Sequence, residues 1–182
     1  MSFRILCFVF SISCAPQTLV ALNDPETELD FSLSRYMGTW HQIAFIPNQF
    51  QAFCVSEPSA YYSFVDSEQI RIVNSCRDRD GVLRRAQGKG RLNKKYADPA
   101  RLEVRFAPAW LSFLSAVWGD YWVLKIDADY TTVLVGSPDR QYLWVLARNK
   151  SIPKDIYRDL LLVAQTKGFD PTLMVAGKGS LD

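Results

Sequence analysis

At 182 residues, the chain is long enough for one domain with a substantial core. Its apolar and charged fractions are those of a globular protein, and a formal charge of +2 argues against the basic field of a dedicated nucleic-acid binder. Five Trp, eight Tyr and eleven Phe supply large apolar surfaces that either fill a core or line a site.

Arg4 and the apolar run 5–12 read as a secretory signal within residues 1–21, too short to span a bilayer. Two cleavage routes are open. Ser11-Ile12-Ser13-Cys14 offers a lipoprotein-type site that would leave Cys14 as a lipid-bearing first residue, although Ser stands where Leu is usual. Cleavage after Ala21 would instead release a soluble product. Export leaves Cys54 and Cys76 as an even pair in an oxidising compartment, where a disulfide is the natural state. Closing that loop of about 20 residues contributes roughly 3 kcal/mol. His41 is the only histidine, so neither a catalytic Cys–His pair nor a metal site is expected, and no cofactor.

Residues 22–35 are polar and form a lead-in segment; the domain proper is expected over 36–182. Short apolar runs separated by turn residues then predict an all-β architecture. The first strand covers about 39–46 and ends at Pro47-Asn48, followed by a long loop through Phe53. Strands two and three cover about 60–64 and 70–76. Asp78-Arg79-Asp80-Gly81 predicts a hairpin into strand four, about 83–92, where Gly88 and Gly90 suit a bulge or bend. In strand five Leu102, Val104 and Phe106 alternate with Arg101, Glu103 and Arg105, giving one wet face. Strands six, seven and eight cover about 121–126, 131–136 and 142–148. The period then changes: Ile156, Leu160, Val163 and Ala164 fit one helix, with Pro153 in its first turn and Gly168 at its stop. Short links favour an up-and-down meander over the Greek-key crossovers of an immunoglobulin-like sandwich. Eight such strands close into a barrel wide enough for one small ligand.

Three motifs carry a family resemblance. Tyr36-Met37-Gly38-Thr39-Trp40-His41-Gln42-Ile43-Ala44 resembles the first lipocalin motif. Asp127-Ala128-Asp129-Tyr130 before Val133-Leu134-Val135 resembles the second, and Arg148 after Tyr142-Leu143-Trp144 resembles the third. The chain is most similar to bacterial outer-membrane lipocalins related to apolipoprotein D. The resemblance implies an eight-stranded up-and-down antiparallel lipocalin barrel with one C-terminal α-helix packed outside. It implies structural roles for Gly38, Trp40, Asp129, Tyr130 and Arg148 at the closed end. It also implies a non-catalytic carrier of fatty acids, phospholipids or lysophospholipids in the periplasm or at the outer membrane, as monomer or homodimer. A lipid-modifying enzyme on the same fold and an envelope interaction protein are the alternatives.

Strand parity points Tyr62, Phe64, Val104, Phe106, Trp144 and Leu146 into the cup. Lys125 prefers the outside, which assigns Trp122 and Leu124 inward. The apolar segment 107–118 falls at the open end as a lid or membrane-touching lip, with Trp110 and Trp118 in its contact set. Arg77, Arg79 and Arg140 are available near the mouth for a head group. Arg84, Arg85, Lys89, Arg91, Lys94 and Lys95 read as a wet barrel face, with weak attraction to anionic lipid as the functional option.

Overall fold

The structure, a computed structural model, describes residues 23–182; the expected signal segment and Cys14 lie outside the described residues. After a short helix, α1 (Leu33–Tyr36), come β1 (Gly38–Phe45), β2 (Ser56–Phe64), β3 (Gln69–Arg77), β4 (Leu83–Leu92) and β5 (Arg101–Arg105). Next are β6 (Gly119–Ile126), β7 (Thr132–Gly136), β8 (Leu143–Ala147), the helix α2 (Lys154–Thr166) and a two-residue strand β9 (Val175–Ala176). Each strand from β2 to β8 pairs antiparallel with its neighbour in sequence, and β1 pairs with both β2 and β8. The meander is therefore a closed eight-stranded barrel, with β9 strapped outside β1 at Ala44 and Phe45.

Two apolar cores share the strands. One fills the lower barrel with Tyr36, Trp40, Tyr62, Ile72, Leu102, Val123, Val133 and Leu146. The other lies outside, between α2 and the opposite faces of β1 and β6 to β8, and contains Ile43, Trp122, Leu124, Leu134, Val145 and Ala164. Strands β6 to β8 are thus covered on both faces, which accounts for their nearly continuous apolar sequence. Gly136 lets the segment after α2 pack down: a Cβ there would fall 2.7 Å from the Phe169 ring and 2.9 Å from Leu124.

Several expectations are corrected by this arrangement. Trp122 and Leu124 face outward under the helix, not into the cup. The register of β6 slips between Val123 and Lys125, so Leu124 is the extra residue of a bulge and shares the outer side with Lys125. Alternation is broken there: Tyr121, Val123 and Ile126 point inward instead. Strand β4 has no bulge at Gly88 or Gly90, since its pairing with β3 runs unbroken. The glycines make room: the Phe106 ring occupies the space of a Gly88 Cβ, 2.7 Å away, and Ile72 approaches Gly90. On α2, Ile156 is exposed and Tyr157 packs in its place beside Leu160 and Ala164. The lead-in is integral to the fold. Glu28 donates its backbone N–H to Val123 and its carboxylate pairs with Lys125, while Phe31 is buried in the barrel's lower core.

Candidate functional site

The closed end is built from the first and last strand motifs. Gly38 adopts φ +102°, a left-handed value that favours glycine, and a Cβ there would press on Arg148 at 3.2 Å. The Arg148 guanidinium stacks 3.9 Å from the centre of the Trp40 indole. It also donates hydrogen bonds to the carbonyls of Thr39 (2.8 Å), Arg35 and Met37 (both 2.9 Å), Tyr130 (3.2 Å) and Tyr36 (3.3 Å). Trp40 Nε1 donates to Tyr36 O at 2.8 Å. One cation thus ties α1, β1 and the β6–β7 turn to the base of the barrel. In that turn Asp127 does the capping: its carboxylate accepts from Thr131 and Thr132, while Asp129, for which the resemblance implied a structural role, is exposed. Tyr130 is buried; its hydroxyl accepts from Ser32 N at 2.6 Å, and Arg35 lies 4.0 Å over its ring.

Above Trp40 the interior changes character. The hydroxyls of Tyr36 and Tyr62 meet that of Tyr121 at 2.6 and 2.9 Å, forming a bar that crosses the barrel. Burial raises the pKa of all three phenols, that of Tyr62 to about 12, so they remain neutral donors. Three O–H groups joined by two hydrogen bonds leave one proton for another acceptor. Asn74 faces inward one row higher, opposite Ala60 and Ala86, and its buried Oδ1 has no partner among the described residues. Val104 and Trp144 are half-buried along the wall, and the exposure of Ala86 shows that this part of the barrel is open. The result is a cup with an aromatic, hydroxyl-bearing floor and a mostly apolar wall.

The loop after β1 reaches over that cup. Gln51 donates to Gln42 Oε1 at 2.6 Å and accepts from Trp144 Nε1 at 3.3 Å. The Cys54–Cys76 disulfide fastens the same loop to β3 at the open end. The mouth is ringed by exposed apolar side chains from three connections: Phe50, Phe53 and Val55; Val82 and Leu83; and Phe106, Trp110, Phe113 and Leu114.

Of the residues expected to line the cup, Tyr62, Val104, Trp144 and Leu146 share the interior. Phe64 keeps inward parity but lies past the floor at the closed rim, 47% exposed, so it cannot line the cup. Phe106 is half-exposed at the mouth. Trp110 projects from the lip, 73% exposed. Trp118 folds back onto the outer wall, stacked 3.8 Å from the Arg91 guanidinium, because it precedes outward Asp120 by two residues. Arg140 is not free for a head group: it bonds the carbonyls of Asn23, Pro138 and Lys167, joining the lead-in to the end of α2. His41 lies on the outer wall between Glu57 and Lys150, away from the cup, and burial lowers its pKa. The polar members Tyr36, Tyr121, Asn74 and Gln51 were not singled out from the sequence. Strand parity from Lys125 would have pointed Tyr121 outward, and no local pattern marks hydroxyls that converge from three distant segments.

Comparison with known proteins agrees with this geometry. Residues 30–177 match the Lipocalin-like domain. Temperature-induced lipocalin-1 of Arabidopsis thaliana is 34% identical over 149 residues, 81% of this chain and 79% of the relative. The outer membrane lipoprotein Blc of Escherichia coli K12 is 31% identical over 142 residues, 78% of this chain and 75% of the relative. Among solved structures, insecticyanin of the tobacco hornworm Manduca sexta superposes with a TM-score of 0.66 at 20% identity, covering 86% of this chain and 85% of that one. The chain belongs to the lipocalin family, whose members generally bind small hydrophobic ligands.

Proposed function

We propose that the protein is a non-catalytic carrier of fatty acids or single-chain phospholipids, loaded at a membrane surface and held in the cup. The observation that carries this reading is the pairing of a half-apolar, open cup with a mouth whose three loops expose aromatic and aliphatic side chains. Burying one CH₂ gains about 0.8 kcal/mol, so a sixteen-carbon chain gains about 12 kcal/mol before association and ordering costs. Micromolar affinity is then within reach of wall contacts alone. The unpaired Asn74 oxygen and the spare tyrosine proton give a ligand's hydroxyl or carbonyl a partner inside. Trp110, Phe113 and Phe50 would enter the headgroup region, with exposed Arg79 and Arg85 on the adjoining hairpin facing anionic lipid.

The apolar N-terminal run and the likeness to Blc support a place in the cell envelope, lipid-anchored through Cys14 or soluble after cleavage at Ala21. Native mass spectrometry of protein from its own host, with solvent extraction, is expected to find one fatty acid or lysophospholipid per chain. In parallel, Trp110→Ser with Phe113→Ser should slow fatty-acid uptake from phosphatidylglycerol-containing vesicles roughly tenfold, while affinity for monomeric fatty acid stays within about twofold. An empty protein that also refuses added fatty acid and lysophospholipid would overturn the carrier reading. Unchanged uptake in the double variant would overturn the role of the lip.

A further inference from the structure

The register aligns three cations directly across three adjacent strands: Arg71 on β3 opposite Lys89 on β4, and Lys89 opposite Arg105 on β5. All three point to the outer face, since Ile70, Ile72 and Val104 on the same strands face the interior. Like charges placed directly opposite one another destabilise a sheet. The rows around them are managed differently: one row lower, Arg91 is neutralised by Glu103 at 2.8 Å. Among the described residues no carboxylate pairs with Arg71, Lys89 or Arg105.

Arg71 and Lys89 are exposed, but the row is not a flat stripe. It lines a groove of about 490 Å³ bounded by Val65, Gln87 and Pro108. Arg105 is only 5% exposed, held by hydrogen bonds from Nη1 to the carbonyls of Ala107 and Pro108, with Trp118 5.3 Å away. Its Nε is buried with no partner. A buried guanidinium with an unused donor thus sits beside two cations that no carboxylate neutralises, although Lys89 donates to Gln69 Oε1 at 3.0 Å, and that chemistry suits an anion.

We propose that this groove is a second ligand site, distinct from the cup, which binds a phosphate-class anion through Arg71, Lys89 and Arg105. A dianionic phosphate monoester has oxygens enough to accept from all three side chains, and charge-assisted bonds of this kind are the strong ones. Val65 and Pro108 give the anion's apolar substituent, where it has one, a surface to lie on.

The test is thermal unfolding of the full mature protein and of Arg71→Gln with Lys89→Gln, two exposed positions where the fold should tolerate neutral side chains. Inorganic phosphate and octyl phosphate below its micelle concentration are each compared with chloride at equal ionic strength, because screening alone relieves repulsion. Phosphate or octyl phosphate should raise the melting temperature of the wild type above its value in chloride, and the double variant should bind the effective compound about tenfold more weakly. In chloride the double variant should melt higher than the wild type, because like-charge repulsion has been removed. A response to inorganic phosphate assigns a free-anion site; a response to octyl phosphate alone assigns an amphiphile's head group. Saturating the cup with palmitate should leave the response in place. Equal responses of wild type and variant, no response to either compound, a destabilised variant in chloride, or loss of the response when palmitate is present would each overturn the proposal.

Discussion

Arg148→Met should lower the unfolding free energy by about 3 kcal/mol, a large fraction of the stability of a domain this size. The substitution removes a cation stacked on Trp40 and the donors that serve five backbone carbonyls from three segments. The stacking alone is worth about 0.5–2 kcal/mol. Each carbonyl that water cannot reach adds a desolvation cost of about 1–3 kcal/mol, although those at the exposed edge of the barrel base will be rehydrated. Arg148→Lys should recover less than half of the loss, because one ammonium offers three donors at a point and no planar face for the indole. Urea unfolding of the three proteins measures this. A loss below about 1 kcal/mol for Arg148→Met, or full rescue by Lys, would show that the closed end is held by packing and not by this cation.

The second large effect separates the two apolar cores. Trp122→Ala should cost about 3–5 kcal/mol, since the ring is fully buried between α2, Tyr96 and the Arg101 guanidinium that stacks 4.2 Å from it. It should leave the affinity of the folded protein for fatty acid unchanged, because the indole is on the far side of the wall from the cup. Trp144→Ala should do the reverse. That side chain is half-buried, faces the interior and holds Gln51 over the cup, so stability should fall by less than about 2 kcal/mol and affinity about tenfold. Thermal unfolding together with displacement of a fluorescent fatty acid reads both quantities on the same samples. Weakened ligand binding in Trp122→Ala with none in Trp144→Ala would mean that the outer core, not the cup, is the ligand site.

What was legible in the sequence followed from local rules. Strand five declared its faces by alternating Leu102 and Val104 with charges, and the structure keeps those faces. Strand six did not, because one bulge residue, Leu124, reverses the parity of everything before it, and nothing in the local sequence marks a bulge between Val123 and Lys125. The unbroken apolar runs of the last three strands did hold usable information, since a strand apolar on both faces is covered on both faces. Arg140 was read as free for a head group, yet it is tied to carbonyls of Asn23 and Lys167 from distant segments; Arg105 was read on a wet face, yet the turn just after it buries the guanidinium against the carbonyls of Ala107 and Pro108. The tyrosine bar and the cation row share the same reason for being invisible: each is defined by register across strands, and register is a property of the closed barrel, not of any one strand.

The covering of β6 to β8 on both faces, while β3 and β4 meet water on the outside and β4 carries Ala86, Gly88 and Gly90 within, divides the barrel into unequal halves. One half is a keel, fixed by the helix on one side and the aromatic floor on the other. The other half is a two-sided membrane of backbone hydrogen bonds with little mass behind it. Under the carrier reading, a guest of varying girth would be accommodated asymmetrically, the β3–β4 hairpin yielding and the wall bearing Trp144 keeping its shape. Selectivity of such a container is set less by the volume it encloses than by how far its thin wall can bow before the hydrogen-bond ladder gives way.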